Sequence, residues 1–246
     1  MATSEQRLID YILHLADSTL ILSQKNSEWC GHGPILEQDI AITNISLDLI
    51  GQSRNFYQYA ALLIGGDADE DKLAYIRKER EFKNLLMVEQ PNGDWGQTVL
   101  RQYLFSQFQY LLFEKLQHTK DEQLAAITAK ALKEIKYHVR WSSEWVIRLG
   151  DGTAESKTRM LKAIEEIWKY TGEMFMPAEY EKEIDITILK VDWLQKVKLI
   201  FDEATLPVPE NVFMHKGGKE GIHTEHLGYI LTELQYMQRA YPNATW

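Results

Sequence analysis

Apolar residues recur at helical spacing along almost the whole chain. In residues 121–152, DEQLAAITAKALKEIKYHVRWSSEWVIRLGDG, a turn of about 100° per residue gathers Leu132, Ile135, Val139, Val146 and Leu149 on one side. Lys130, Lys133, Lys136 and Arg140 gather on the other. This pattern predicts one long amphipathic helix, stopped by the glycines at 150 and 152. Residues 5–25 show the same spacing through Leu8, Ile12, Leu15, Thr19 and Leu22, and NSEWCGHGP (26–34) breaks that helix. Residues 35–65 are apolar on most of their circumference, the pattern of a central buried helix, and Gly65-Gly66 ends them. A short charged helix is expected over 69–80 and a turn over EQPNGDWG (89–96). The 94–118 stretch is again apolar nearly all round, with Tyr103, Leu104, Phe105, Phe108, Tyr110, Leu111, Leu112 and Phe113.

Further helices are expected at 154–176, ended by Pro177, and at 190–204, while 178–187 shows no clear period. PVPENVFMHKGGKEGIH (207–223) reads as a long loop, after which Thr224 is placed to cap a last helix running to about 241. No strand pair and no low-complexity tract interrupts the series. The expectation is an all-α protein of about seven helices in a single domain, residues 1–246. Its centre is a four-helix core with the other helices packed outside.

Three polar lines cross these apolar faces. Glu37, Asn44, Asp48 and Asn55 share one line of the 35–65 helix, with Gln52 at its edge. Gln102, Ser106 and Gln109 share one on 94–118. Glu134 and His138, one turn apart, fall beside Trp141 and Trp145. A carboxylate and an imidazole so placed make half of a metal site or a buried hydrogen-bonded pair. A di-iron carboxylate bundle needs roughly four carboxylates and two imidazoles, with Glu-x-x-His on two of its helices. Here Glu134 has Tyr137 at i+3 and His138 at i+4, Asp48 has Gly51 and Gln52, and the 94–118 helix offers Ser106 and Gln109. One imidazole and two acids are too few for such a site, so packing is the expected role of Asp48, Glu134 and His138.

Composition narrows the classes. A net charge of −9 with no basic block argues against nonspecific nucleic-acid binding. No uncharged run approaches the roughly 20 residues of a membrane span, and MATSEQRLIDYILHLADSTL lacks the basic start and pure apolar run of a signal peptide. The single cysteine, Cys30, excludes an internal disulfide framework and fits a reducing compartment; a cytoplasmic location is expected. His32 and His223 lie in or beside Gly-containing loops with no partner at ligand spacing. Lys216 and Lys219, around Gly217-Gly218, are candidates to hold a phosphate group through their charge and free backbone N–H groups, and a solvated loop explains them as well.

Several stretches carry a resemblance: NSEWCGHGP (26–34), NISLDLIGQSRNF (44–56), REFKNLLMVEQPNGDW (80–95), AKALKEIKYHVRWSSEW (129–145), RLGDGT (148–153) and GGKEGIHTEHLG (217–228). Through them the chain resembles the C-subunit family of the bacterial multicomponent phenylacetyl-CoA epoxidase. The resemblance implies a ferritin-like fold. It also implies a place in an oxygenase that epoxidises the aromatic ring of phenylacetyl-CoA in aerobic phenylacetate degradation. In that family the di-iron site belongs to a homologous catalytic A subunit, and electrons come from NADPH through a reductase component. The family's members pair with that catalytic subunit as structural elements, so no catalytic residue and no cofactor of its own is carried over to this chain. Two other functions remain open from the residues alone: an active di-iron monooxygenase, and a CoA-binding module.

Overall fold

A computed structural model describes residues 3–181, 185–242 and 244. Among these residues the regular structure is entirely helical: α1 (Ser4–Ser27), α2 (Leu36–Ile64), α3 (Glu70–Tyr75), α4 (Trp95–Leu116), α5 (Glu122–Gly150), α6 (Ala154–Ile167), α7 (Leu189–Glu203), α8 (Glu225–Leu234) and α9 (Tyr236–Ala240). Short 3-10 turns occupy Glu79–Glu81, Trp168–Phe175, Ile186–Ile188 and Gly218–Glu220. The chain forms two compact units, residues 1–91, 178–180 and 217–246 in the first, and 92–177 and 181–216 in the second.

In the first unit α1 packs along α2 as a helical hairpin, and α8 touches α1. Ile12, Leu15, Ala16, Ile21 and Leu22 of α1 and Ile42, Ile45, Leu49, Phe56 and Ala60 of α2 are buried. The i, i+3, i+4 spacing of the α2 set puts it on one face, whereas α1 is buried on every side from Tyr11 to Ser23. The expected central burial of α2 does not hold. One face is packed, while Leu36, Ile40, Leu47, Ile50 and Leu62 are exposed. The polar line splits: Glu37 and Asn44 are exposed, Asp48 and Asn55 half-buried, and only Gln52 is buried. Periodicity registers apolar residues but not how many sides the fold covers. Gly51 lies on the exposed face, where an added Cβ would meet nothing within 4 Å, although a mid-helix glycine costs about 1 kcal/mol relative to alanine.

In the second unit α4 packs along α5, with α6 and α7 against them. The expectation for α4 holds, since its buried set runs from Thr98 through Gln109 on every side. Each long helix starts on an aspartate: Gln97 N donates to Asp94 at 3.0 Å and Leu124 N to Asp121 at 2.8 Å. Trp193 of α7 donates its indole N–H to the Leu104 carbonyl at 3.1 Å and stacks obliquely on Trp168 and Phe175. The single α-helix expected over 154–176 does not hold to its end. It tightens at Trp168 into a 3-10 stretch, where the Thr171 hydroxyl turns back onto the Trp168 carbonyl and Gly172 lies under Met214. Helical period does not distinguish the two forms over so short a run.

Gly150 at the end of α5 has no room for a side chain. A Cβ there would stand 2.4 Å from the carbonyl oxygen of Ala204, at the close of α7. Gly150→Ala is therefore expected to destabilise the protein by about 1–3 kcal/mol through overpacking against backbone. Chemical denaturation checks this, and an unchanged midpoint would refute the contact.

Candidate functional site

His138 lies at the centre of the buried line of α5, with Ile135, Ser142 and Val146 above and below it, and is 0% exposed. The Ser142 hydroxyl donates to the His138 carbonyl at 2.6 Å. Glu134 is half-buried at the edge of that face and does not stand alone. Tyr137, at the i+3 position, is exposed under the Arg140 guanidinium, and its ring meets the His138 ring edge-on at 6.4 Å. On α4, Gln102 donates to Ser106 at 2.7 Å, and Gln102, Ser106 and Gln109 are all buried.

These donors do not fit a di-iron centre. Amides and a hydroxyl stand where charge-neutralising carboxylates are required, and Tyr137 turns outward. Among the described residues no three His, Cys, Asp or Glu side chains gather as a metal cluster would. Asp48 is half-buried on α2, in the first unit.

The loop at 217–223 is closed on itself. Glu220 N and Ile222 N both donate to the Gly217 carbonyl at 2.9 Å, and Gly221 N donates to the Gly218 carbonyl at 3.0 Å. A Cβ on Gly218 would sit 2.2 Å from the Asn84 carbonyl oxygen. Lys219 is buried, its carbonyl accepting the Tyr180 hydroxyl at 3.0 Å, while Lys216 is exposed. N–H groups spent inside the loop and a buried lysine leave little of the phosphate cradle that the glycines suggested.

The strongest polar chemistry lies in the first unit, around the buried strap 82–90. Asp17 of α1, 0% exposed, accepts the Tyr57 hydroxyl at 2.5 Å and the Lys83 backbone N–H at 2.8 Å, and it takes both terminal nitrogens of Arg77. Arg77 also donates to the Glu81 carbonyl at 2.9 Å and lies 4.3 Å over the Phe82 ring. Burial alone would weaken the Arg77 charge, but Asp17 outweighs it and raises the guanidinium pKa. Burial, and then the Asp17 charge, hold the Tyr57 phenol well above its ordinary range. One turn earlier, His14 Nδ1 meets the Lys83 carbonyl at 2.7 Å.

A second cluster follows along the strap. Glu89, also 0% exposed, accepts Asn84 at 2.8 Å and His223 Nδ1 at 2.9 Å on one oxygen. Its other oxygen accepts the Thr224 N–H at 2.6 Å and the Thr224 hydroxyl at 2.7 Å. Thr224 does occupy the N-cap of α8, but its hydroxyl makes no cap bond; a carboxylate from 135 residues away terminates the helix instead. His223, which shows no partner in the sequence, has two: Nε2 faces the Phe82 carbonyl at 2.9 Å. Sequence reading misses both clusters because their partners lie far apart in the chain. The available signal is Asp17, a lone acid inside the apolar run ILHLADSTLIL.

Asp17, Arg77, Glu89 and His223 all find partners within the chain, while the buried Asn84 Oδ1 has none. Among the described residues no helix is long and apolar enough to cross a membrane. The sequence matches the family described as phenylacetic acid catabolic protein over residues 1–246. It is 47% identical over 247 residues to the C subunit of 1,2-phenylacetyl-CoA epoxidase from Escherichia coli (strain K12), covering 98% of this chain and 99% of that one. The all-helical chain thus belongs to the ferritin-like phenylacetic acid catabolic protein family.

Proposed function

We propose that this chain is a non-catalytic structural subunit of a cytoplasmic multicomponent oxygenase that epoxidises the ring of phenylacetyl-CoA. It holds and stabilises a homologous di-iron catalytic subunit, with electrons arriving from NADPH through a reductase component. The observation that carries the reading is the donor set: Gln102, Ser106 and Gln109 on α4 and an outward Tyr137 on α5 offer no ligand shell for two irons. The name of the 47% identical relative, a lettered subunit of an epoxidase, supports a role within an assembly. The chain's own residues contribute rigidity: the Asp17–Arg77 and Glu89–His223 clusters fix the 82–90 strap against α1 and α8.

Metal analysis tests this. The chain is co-purified with the catalytic subunit, and the two are then separated. About two irons are expected with the catalytic subunit and essentially none with this chain. Two irons and an oxo-bridged absorption band from this chain alone would make it an active monooxygenase. Heat released on titrating CoA into the isolated chain would support a CoA-binding module instead.

A further inference from the structure

We propose that the cavity between α2 and α3 binds a primary alkylammonium group, recognised by Ser53, Asp71 and two tyrosines. The cavity measures about 130 Å³ and opens to solvent. Leu20, Ile50 and Ala74 give it apolar walls. Its size is a little below the ~150 Å³ that accepts benzene, so it has room for a chain of about four carbons and one polar atom.

Ser53 is the residue that points to a ligand. It lines the cavity, is 1% exposed, and its hydroxyl has no hydrogen-bond partner among the described residues. The other buried serines and threonines of α1 and α2 each have one. Ser46 turns back onto the Ile42 carbonyl at 2.8 Å, and Thr19 onto the Leu15 carbonyl at 3.0 Å. Ser23 donates to the Ser46 carbonyl, and Ser18 accepts the Leu85 N–H. A buried hydroxyl left unbonded is destabilising, and a ligand in the cavity would supply the missing bond.

Charge selects a cation. Most acids of the 67–71 segment are already engaged: Lys72 pairs with Asp67 and Asp69, and both Arg54 and Gln58 bond Glu70. Asp71 is left. It lines the cavity, and among the described residues it has no ion-pair partner. Burial first, and then the Asp71 charge, raise the Tyr75 phenol above its ordinary pKa. Two carboxylates, Glu70 and Asp71, and one guanidinium, Arg54, leave the lining with one net negative charge. Tyr57, whose hydroxyl is spent on Asp17, and Tyr75 add aromatic rings, which attract cations. An anion would be repelled by Asp71, and a purely apolar group would leave Ser53 unbonded. An ammonium answers both: it donates to the hydroxyl oxygen and is drawn by the carboxylate, while its alkyl stem meets the apolar walls. The group can come from a free amine or from a lysine side chain of a partner protein.

Nuclear magnetic resonance titration of the full chain with n-butylammonium chloride at constant ionic strength tests this. Saturable shifts centred on the lining residues of α2 and α3 are expected, with a dissociation constant on the order of 1 mM for a ligand of about five heavy atoms. Asp71→Asn and Ser53→Ala should each weaken binding at least about 5-fold, and n-butanol, the neutral analogue, should bind at least about 10-fold more weakly. Glu144→Gln, on the exposed side of α5, is expected to bind as wild type. Without ligand, Ser53→Ala should melt no lower than wild type, since it removes only an unbonded hydroxyl; this separates lost binding from lost folding. At roughly 100-fold excess over the dissociation constant, butylammonium should raise the wild-type melting temperature by about 5–10 °C. Nα-acetyl-lysine methylamide binding as tightly as butylammonium would assign the site to a protein lysine, and its exclusion would assign the site to a free amine; either result upholds the proposal. No saturation by butylammonium, equal affinity for n-butanol, or unchanged affinity in Asp71→Asn would overturn it. So would a Ser53→Ala melting temperature several degrees below wild type, which would give the hydroxyl a partner inside the chain. The scaffold reading stands in either case.

Discussion

Asp17→Ala is expected to destabilise the protein by about 3–5 kcal/mol, the usual range when one partner of a buried ion pair is removed. The reason is what it leaves behind. The Arg77 side chain is 10% exposed. Without Asp17 its charge stays in a poorly solvated place, facing the Leu73 and Glu81 carbonyls and the Phe82 ring but no counter-charge at contact distance. The Tyr57 hydroxyl and the Lys83 N–H lose their shared acceptor in the same step. At roughly 2–4 °C per kcal/mol for a chain of this size, the melting temperature should fall by on the order of 10 °C. The double variant Asp17→Ala/Arg77→Met should cost clearly less than the two single changes summed, because it removes both charges together. An Asp17→Ala midpoint within about 1 kcal/mol of wild type, or strict additivity in the double variant, would show that the pair does not act as a unit.

The parts of this protein legible in the sequence are those set by local pattern. The hairpin helices appear within a residue or two of their expected ends, because the 3.6-residue period and the breakers at 26–34, 65–66 and 150–152 are local signals. The weak metal case for Glu134 and His138 is also local, a matter of Tyr137 standing at i+3. The structure adds that His138 lies in the middle of the packed face of α5 and Glu134 at its rim. What stays hidden depends on distance along the chain. Asp17 meets Arg77 across 60 residues and Glu89 meets His223 across 134, and neither separation leaves a periodic trace. The short helix expected over 69–80 fails for the same reason. It ends at Tyr75, and Arg77 then lies in the link that carries its side chain to Asp17. The apolar pattern overstates the burial of α2 because an apolar residue left exposed, such as Leu47 or Leu62, looks in one sequence like an apolar residue facing a core.

Glu89→Ala is expected to cost a similar 3–5 kcal/mol, roughly the loss for one member of a buried pair, and the partner imidazole gives this second cluster a pH dependence. Glu89 accepts from His223 Nδ1 and from both donors of Thr224. Its loss would strand a buried cation and unfasten the first turn of α8 together. His223 meets an acceptor at each ring nitrogen, Glu89 at Nδ1 and the Phe82 carbonyl at Nε2, both at 2.9 Å. Only the doubly protonated ring can donate to both. Burial pulls the His223 pKa down, but the bond to Glu89, its charge and the Phe82 carbonyl outweigh burial and raise it above 6.5. A group whose folded pKa is raised binds its proton more tightly in the native state. Its stabilisation is therefore complete below the unfolded value near 6.5 and fades as pH climbs through the folded value. Denaturant midpoints of wild type and His223→Ala should accordingly lie furthest apart near pH 6 and draw together toward about pH 9. Gly150→Ala, which removes no titrating group, should run parallel to wild type over the same range. A His223→Ala offset that stays constant from about pH 6 to 9 would mean that folding does not shift the ring's pKa, and one that shrinks as pH falls toward 6 would mean that the ring is neutral in the native protein and that Glu89 holds α8 through Thr224 alone.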